Sequence, residues 1–395
     1  MRSILRKINR NPLVMKIKFT LFNCLFILPV KKNRVIFDNF GGRGFGDDPK
    51  YIALELIKKY PKLELVWLVN DLAYEIPPQI KKVKYATLKA AYYWATSRVW
   101  IDNIKTSYKI PKKKSQYYIQ TWHSTLGFKK NEQDAIPIDK PIGPNELKYK
   151  RDAIRDAKKT DLMYSNNDFR YEKYQTRYWY TGEVKKMDVP RLSPLLHPDM
   201  ALKHTVYTLY GIPKEYAICL YAPTFRNAQS LDVFRFNYID CIAALEKRFG
   251  KKYVMLVRLH PNIAGRSGEL GIFTDSRLID ASKYPDMQEL LAVSNVLITD
   301  YSGCMFDFGF THKPVFLFAK DYQDYLRKDR GTYFKLDEVP FTLSVYENEL
   351  FENILHFSED EYYMSCGEFE KRIGFNDSGE GACLLADIVW KHCEK

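Results

Sequence analysis

RVIFDNFGGRGFGDDPKYIALELIKKYPKLELVWLV, residues 34–69, runs from an apolar stretch through a glycine-rich turn into a longer amphipathic one and back to an apolar stretch. RVIFDNF reads as a strand. DDPKYIALELIKKYP reads as a helix, with Asp47 or Asp48 as its cap and Pro49 in its first turn. LELVWLV reads as a second strand. The same beat continues with KVKYAT, LKAAYYWATS and RVWIDN as strand, helix and strand, YYIQTW as a strand, and RDAIRDAKKT then DLMYSNN as helix and strand. Alternation at this spacing predicts a parallel sheet covered by helices.

The beat restarts after residue 215. AICLYAPTF, YVMLVRLHP, VLITD and KPVFLF read as strands, and NYIDCIAALEKRFG, DMQELLAVSN and SGCMFDFGFTH as the helices between them. Between the two series lies VPRLSPLLHPDM, residues 189–200, whose three prolines mark a boundary. A chain of 395 residues exceeds one ordinary core. The expected fold class is therefore α/β, with two doubly wound domains facing each other across a cleft. The expected segments are a basic and apolar membrane-proximal stretch (1–32), a first domain (33–192), a second domain (193–372), and a C-terminal helix (373–395) packing back on the first domain.

Lys and Arg total 61 against 48 Asp and Glu, a net charge of +13. That excess favours anionic partners, such as nucleic acid, anionic lipid or phosphorylated substrates, or else belongs to a solvated surface. No RRM, zinc-finger or helix-turn-helix signature accompanies it, so nucleic acid is not an expected partner. The seven cysteines include no C-x-x-C pair, which predicts free thiols in a reducing compartment. Near the N-terminus, FTLFNCLFILPV is an apolar run of 12 residues, too short to span a bilayer. It ends in Pro29, Val30 and two lysines, not in the small residues of a cleavage site. Basic and apolar residues in this mixture fit an interfacial anchor on an anionic cytoplasmic leaflet; a packed first helix and a signal segment are the alternatives.

Ligands of open α/β sheets bind outside the carboxyl ends of strands, so polar and glycine residues there are the candidates for chemistry. Five strand ends carry them. NFGGRGFGDDPKYI (39–52) sets Gly44 and three further glycines before a helix, but it matches neither G-x-G-x-x-G nor a Walker loop; a plain turn fits as well. TWHST (121–125) places His123 among Ser124, Thr125 and Thr121, with Lys129 just beyond. A histidine here suits a general base or a hydrogen-bonded structural role. YAPTFRN (221–227) ends in Thr224 and Arg226, a hydroxyl and a cation suited to phosphate. VRLHPN (257–262) sets Arg258 and His260 at alternate positions, on one side of an extended segment. ITDYSGCMFDFGF (298–310) runs into a turn where Ser302 can cap the next helix and Gly303 leaves room for close approach. No carboxylate pair of glycosidase type, H-E-x-x-H or zinc-spaced Cys/His cluster is present, and no metal ligands are assigned.

TWHSTLGFKK, YAPTFRN, VRLHPN and the block from Thr299 to Phe334, in this order, resemble the CDP-glycerol glycerophosphotransferase family, which makes teichoic acids and related capsule polymers. The resemblance covers about residues 35–355. It implies a GT-B-like fold of two Rossmann-like domains with the active site between them. It implies attack of an acceptor hydroxyl on the polyol-bearing phosphorus of a CDP-polyol, with CMP leaving. His123 falls on the catalytic base of the family's W-H-G segment. His260 and Ser302 fall on donor-pyrophosphate ligands, and Thr299 and Asp300 on the T-D of the T-D-Y-S-S segment. With Arg258, Arg226, Thr224 and Gly303 these form the expected donor side; Gly44, Ser124, Thr125 and Lys129 form the expected acceptor side. Two positions depart from the family pattern. Ser124 stands where a glycine follows the W-H pair, and Gly303 where a second serine follows Ser302.

The resemblance implies CDP-glycerol or CDP-ribitol as donor, a lipid-linked or polymer acceptor, and no cofactor. It implies a peripheral place on the cytoplasmic face of a bacterial membrane. Alternatives are a CDP-ribitol-dependent transferase, a GT-B glycosyltransferase using a nucleotide sugar or CMP-sialic acid, and a basic lipid- or nucleic-acid-binding protein without catalysis.

Overall fold

The computed structural model describes residue 20 and residues 24–105, 111–136, 142–226, 231–328 and 331–394. The first sheet contains β1 (Lys31–Asp38), β2 (Glu64–Val69), β3 (Ile80–Lys84), β4 (Ser97–Asp102), β5 (Tyr117–Gln120), β6 (Leu162–Ser165) and β7 (Glu183–Lys186). Their order is β3-β2-β1-β4-β5-β6-β7, with every pair parallel. The second sheet contains β8 (Ala217–Tyr221), β9 (Tyr253–Val257), β10 (Leu278–Asp280), β11 (Val296–Thr299), β12 (Val315–Phe318) and β13 (Thr342–Ser344). Their order is β10-β9-β8-β11-β12-β13, again all parallel. In each sheet the chain winds outward and then returns to the other side of its first strand. That places a switch point at the carboxyl ends of β1 and β4 in one domain and of β8 and β11 in the other, where α/β folds bind ligands.

The inner strands are apolar because helices cover both faces of the sheet: AICLY in β8 and YVMLV in β9 are buried throughout. In the first domain Ile52 and Leu56 of the helix Asp47–Lys59 share one core with Leu385 and Val389 of the C-terminal helix Gly381–Glu394. On the opposite face Trp94 packs its edge on Trp100 at 4.9 Å. The chain crosses between domains at Pro190–Leu192 and Ser193–Leu196 and recrosses before Gly381–Glu394. Asp377 staples the two crossings: its carboxylate accepts from the Val189 and Gly379 N–H groups, each at 2.8 Å.

Several local expectations change. The helix expected over 151–160 is Pro144–Ala157, with Pro144 in its first turn, where a missing N–H costs nothing. The helix expected over 302–312 is only Cys304–Gly309. Gly46, not an aspartate, is the N-cap of Asp47–Lys59, because both aspartates are occupied elsewhere (below). The edge strands β7, β10 and β13 are three or four residues long and carry no apolar run to announce them. The 12-residue apolar run read as an interfacial anchor lies within 19–30, of which 19 and 21–23 fall outside the described residues, as do residues 1–18. Among the described residues no helix is long and apolar enough to cross a membrane.

Candidate active site

The carboxyl ends of the two sheets face each other across a cavity of about 300 Å³. On the first-domain wall, β5 ends at Gln120 and the chain turns at Trp122, whose φ of +56° is strained for a non-glycine residue. The buried indole packs against the Tyr178 ring at 5.2 Å, which fixes the turn. The turn presents His123 to the cleft. Its Nδ1 lies 2.9 Å from the Asn103 carbonyl, which can only accept, so Nδ1 carries the proton and Nε2 the lone pair. Asn103 is itself held: its Nδ2 donates to Asn39 Oδ1 (2.7 Å) and Asp47 Oδ2 (3.0 Å), and its Oδ1 accepts from the Phe40 N–H (2.8 Å). One asparagine beyond β4 thus ties the histidine to the β1 turn and to the first helix.

Past His123 the loop leaves its own domain. Leu126 and Phe128 are buried in the second domain's core, and Lys130 and Phe128 exchange backbone hydrogen bonds with Gly331 (3.0 Å) and Tyr333 (2.9 Å). Lys129 lines the cavity with its Nζ 4.9 Å from the centre of the Tyr325 ring.

On the second-domain wall, Arg258 and His260 follow β9 on either side of the buried Leu259, as strand alternation requires. The Arg258 guanidinium touches Met287 Sδ (3.3 Å) and the Tyr284 carbonyl (3.2 Å), and its buried Nε has no partner. Burial pulls its pKa down, yet an arginine stays cationic at neutral pH. His260 Nδ1 accepts the Asn262 N–H at 3.2 Å, which leaves the proton on Nε2. Burial first, then the charges of Arg258, Arg43 and Lys129, hold His260 below its ordinary value of 6.5. It is a neutral N–H donor at neutral pH.

The strand-end candidates divide. His123, Ser124, Lys129, Thr224, Arg258, His260, Ser302 and Gly303 all line the one cavity. Arg226, Asp300, Thr299, Gly44 and Thr125 do not. Arg226 is held by Asp321 (2.7 Å), Asp300 (2.8 Å) and the Thr224 carbonyl (2.7 Å). Asp300 accepts from the Thr224 and Tyr301 N–H groups, so it shapes the turns that carry the lining residues. The Thr299 hydroxyl donates to the Ala222 carbonyl (2.7 Å), a bond within the sheet. The Gly44 carbonyl accepts from the Trp67 indole (3.1 Å), and Thr125 is buried under the loop.

Sequence reading missed Arg191 and Asn103. Arg191 lies in the crossing segment, lines the cavity, and is held between Asp47 (3.0 Å) and Asp307 (2.9 Å). No strand-end rule reaches a crossing residue. Asn103 does follow a strand, and the same rule applied to RVWIDN would have found it.

Among the described residues the cavity lining holds His123, His260, Lys129, Arg191 and Arg258 and no carboxylate. Among the described lining residues, the buried Ser124 Oγ, Thr224 Oγ1, Arg258 Nε and Arg191 Nε lack a hydrogen-bond partner, while Arg191 Nη1 meets the Asp47 carboxylate at 3.0 Å. Buried polar groups are normally paired, so donors left over around one cationic cavity describe an anion site.

Residues 20–391 match the family described as CDP-Glycerol:Poly(glycerophosphate) glycerophosphotransferase. The chain belongs to this family. A teichoic acid poly(glycerol phosphate) polymerase of Bacillus subtilis is 30% identical over 392 residues, 97% of this chain and 52% of that protein. The chain therefore spans about half the length of that curated relative. A teichoic acid glycerol-phosphate transferase of Staphylococcus aureus is 27% identical over 385 residues, covering 94% of this chain and 96% of that one. Among solved structures, the wall teichoic acid polymerase TagF, as a histidine-to-asparagine variant soaked with CDPG, superposes with a TM-score of 0.83 at 26% identity, over 100% of this chain and 97% of that one. These findings agree with the family and the two-domain α/β, GT-B-like fold read from the sequence.

Proposed function

We propose that the chain transfers glycerol phosphate from CDP-glycerol to a hydroxyl of a membrane-linked glycan or polyol-phosphate acceptor, releasing CMP, in the synthesis of a teichoic acid-type polymer. The observation that carries this reading is the cavity between the two switch points, lined among the described residues by five basic side chains, no carboxylate and several buried donors without a partner. It suits a pyrophosphate. The relatives named for glycerol phosphate favour glycerol over ribitol.

In the reaction the acceptor oxygen bonds to the glycerol-bearing phosphorus while the bond from that phosphorus to the bridging oxygen breaks. CMP leaves with the bond's electron pair. The acceptor's proton passes to His123 Nε2, whose lone pair is set by the Nδ1–H bond to Asn103. Phosphoryl transfer depends on positioning and charge stabilisation more than on covalent help. Arg258 and the His260 Nε2–H supply that charge and hydrogen bonding on the donor side. The first domain then serves the acceptor and the second the donor. A peripheral position on the cytoplasmic membrane face fits an acceptor that lies in the membrane.

CMP release from CDP-glycerol, CDP-ribitol and nucleotide sugars tests the reading. Release from CDP-glycerol with a lipid-linked acceptor is expected. His123→Ala should lower kcat about 10²–10⁴-fold, the range for general base catalysis, while CDP-glycerol binding measured by calorimetry is kept. Wild-type release from sugar nucleotides alone would overturn the substrate assignment, and an unimpaired His123→Ala would overturn the base.

A further inference from the structure

Gly303 adopts φ −60° and ψ −14°, ordinary helical values open to any residue. Backbone freedom is not why a glycine stands there. A Cβ built on it would lie 3.1 Å from Ser124 Oγ, tight enough that the hydroxyl would have to give way. Ser124 comes from the first domain, one residue after His123; Gly303 comes from the second, one residue after Ser302. Both line the cavity. The Ser124 hydroxyl is shielded from solvent and has no hydrogen-bond partner, whereas Ser302 Oγ, on the same cavity lining, accepts the Cys304 N–H at 3.4 Å. Where the two walls meet at this contact, a side chain on residue 303 would crowd the Ser124 hydroxyl, and that hydroxyl is an unspent donor.

We infer that Ser124 is a substrate-contacting catalytic residue: its hydroxyl donates to a non-bridging oxygen of the phosphoryl group in transfer, and Gly303 is the space this requires. The inference rests on the transfer reaction proposed above. Ser124 forms no covalent bond and keeps its proton. The acceptor proton still goes to His123, and CMP still leaves from the second-domain wall. The donor thus comes from the same loop as the base, so both meet the phosphorus together. The single hydroxyl can sit on either wall but not on both, because a serine at 303 would add a further oxygen beyond a Cβ that already crowds Ser124.

Four forms of the full chain test this: wild type, Ser124→Ala, Gly303→Ser, and the double variant Ser124→Gly with Gly303→Ser. kcat and KM for CDP-glycerol are read from CMP release, and thermal unfolding checks that each folds. Ser124→Ala should lower kcat roughly 10- to 100-fold with KM changed less than about 3-fold, as expected for a lost hydrogen bond to a charged group that matters most in the transition state. Gly303→Ser alone should lose at least about 10-fold in kcat/KM by overpacking the cleft, and the double variant should recover most of it. A Ser124→Ala enzyme with wild-type kcat overturns the contact. A double variant no better than Gly303→Ser overturns the shared space. The wild type separates the two readings: if it releases CMP and these outcomes fail, only this inference falls, whereas no release from any CDP-polyol removes the transfer reaction and this inference with it.

Discussion

At the scale of single residues, the site uses two histidines in opposite tautomers, and the difference comes from one backbone neighbour each. A carbonyl faces His123 Nδ1 and an N–H faces His260 Nδ1, so one ring offers a lone pair at Nε2 and the other a proton. TWHST and VRLHPN made both rings candidates, but neither string says which neighbour a ring will meet. The pKa of His260 also has a consequence for stability. Its folded value lies below the unfolded 6.5, chiefly through burial. Above 6.5 both states are neutral and the group contributes nothing; as pH falls below 6.5 the unfolded chain takes the proton first, and the native state loses ground. The difference in Tm between wild type and His260→Gln should therefore shrink, or turn in the variant's favour, as pH is lowered from about 7 to about 5. A difference that grows on acidification would contradict the neutral assignment.

At the scale of elements, the joint between domains is ionic where a core would be expected to be apolar. The start of the helix Asp47–Lys59 meets the crossing segment through Arg191, which pairs with Asp47 and with Asp307 and whose N–H donates to Asp48, and it faces Asp286, the N-cap of the helix Met287–Val293. Lys50 and Tyr51 add bonds to Asp286 at 2.8 and 2.7 Å. Burial, then the charge of Asp47, pushes the Asp48 carboxyl well up, and Arg191 opposes that shift. Breaking such a buried cluster by removing one partner typically costs on the order of 3–5 kcal/mol. Arg191→Met should lower the unfolding midpoint accordingly. Without the guanidinium Asp47 and Asp48 rise further, and a raised carboxylate costs stability as pH climbs through its folded pKa. The loss should thus be larger at pH 8 than at pH 5; an unchanged midpoint, or the reverse trend, would remove Arg191 from this role. DDPKYI was read as a capped helix start because Asp and Pro are ordinary there. The actual use of the aspartates depends on Asn103, 56 positions from Asp47, and on Arg191, 143 positions from Asp48, beyond any local pattern.

At the scale of the whole molecule, we propose that the net charge of +13 and the exposed apolar residues at the start of the described chain form a surface for anionic lipid. Ile27 is 87% exposed and Phe26 40%, with Lys113 Nζ 5.5 Å from the Phe26 ring centre. Leu88, on the helix that packs against this segment, is 55% exposed. The chain should pellet with vesicles containing anionic phospholipid and be released at about 1 M salt, where screening shortens to about 3 Å. Ile27→Asp should weaken pelleting. Equal binding to neutral vesicles, or none to anionic ones, would count against an electrostatic membrane face.

What the sequence by itself determined is the architecture and the chemical kind of the site. The alternation of apolar and amphipathic stretches is a local property, and handedness and short connections turn it into two parallel sheets with switch points at known strand ends. Chemistry hosted by the fold is expected on those ends, which is why His123, Arg258, His260 and Ser302, all on the cavity lining, could be read as candidates. Only the tertiary structure decided which candidates reach the cavity. Arg226 and Asp300 satisfy each other behind it, Arg191 enters it from a crossing, and Ser124 meets Gly303 across it. Those outcomes turn on where donors and acceptors from distant segments find partners, and a buried polar group takes the nearest partner in space, wherever it lies in the chain.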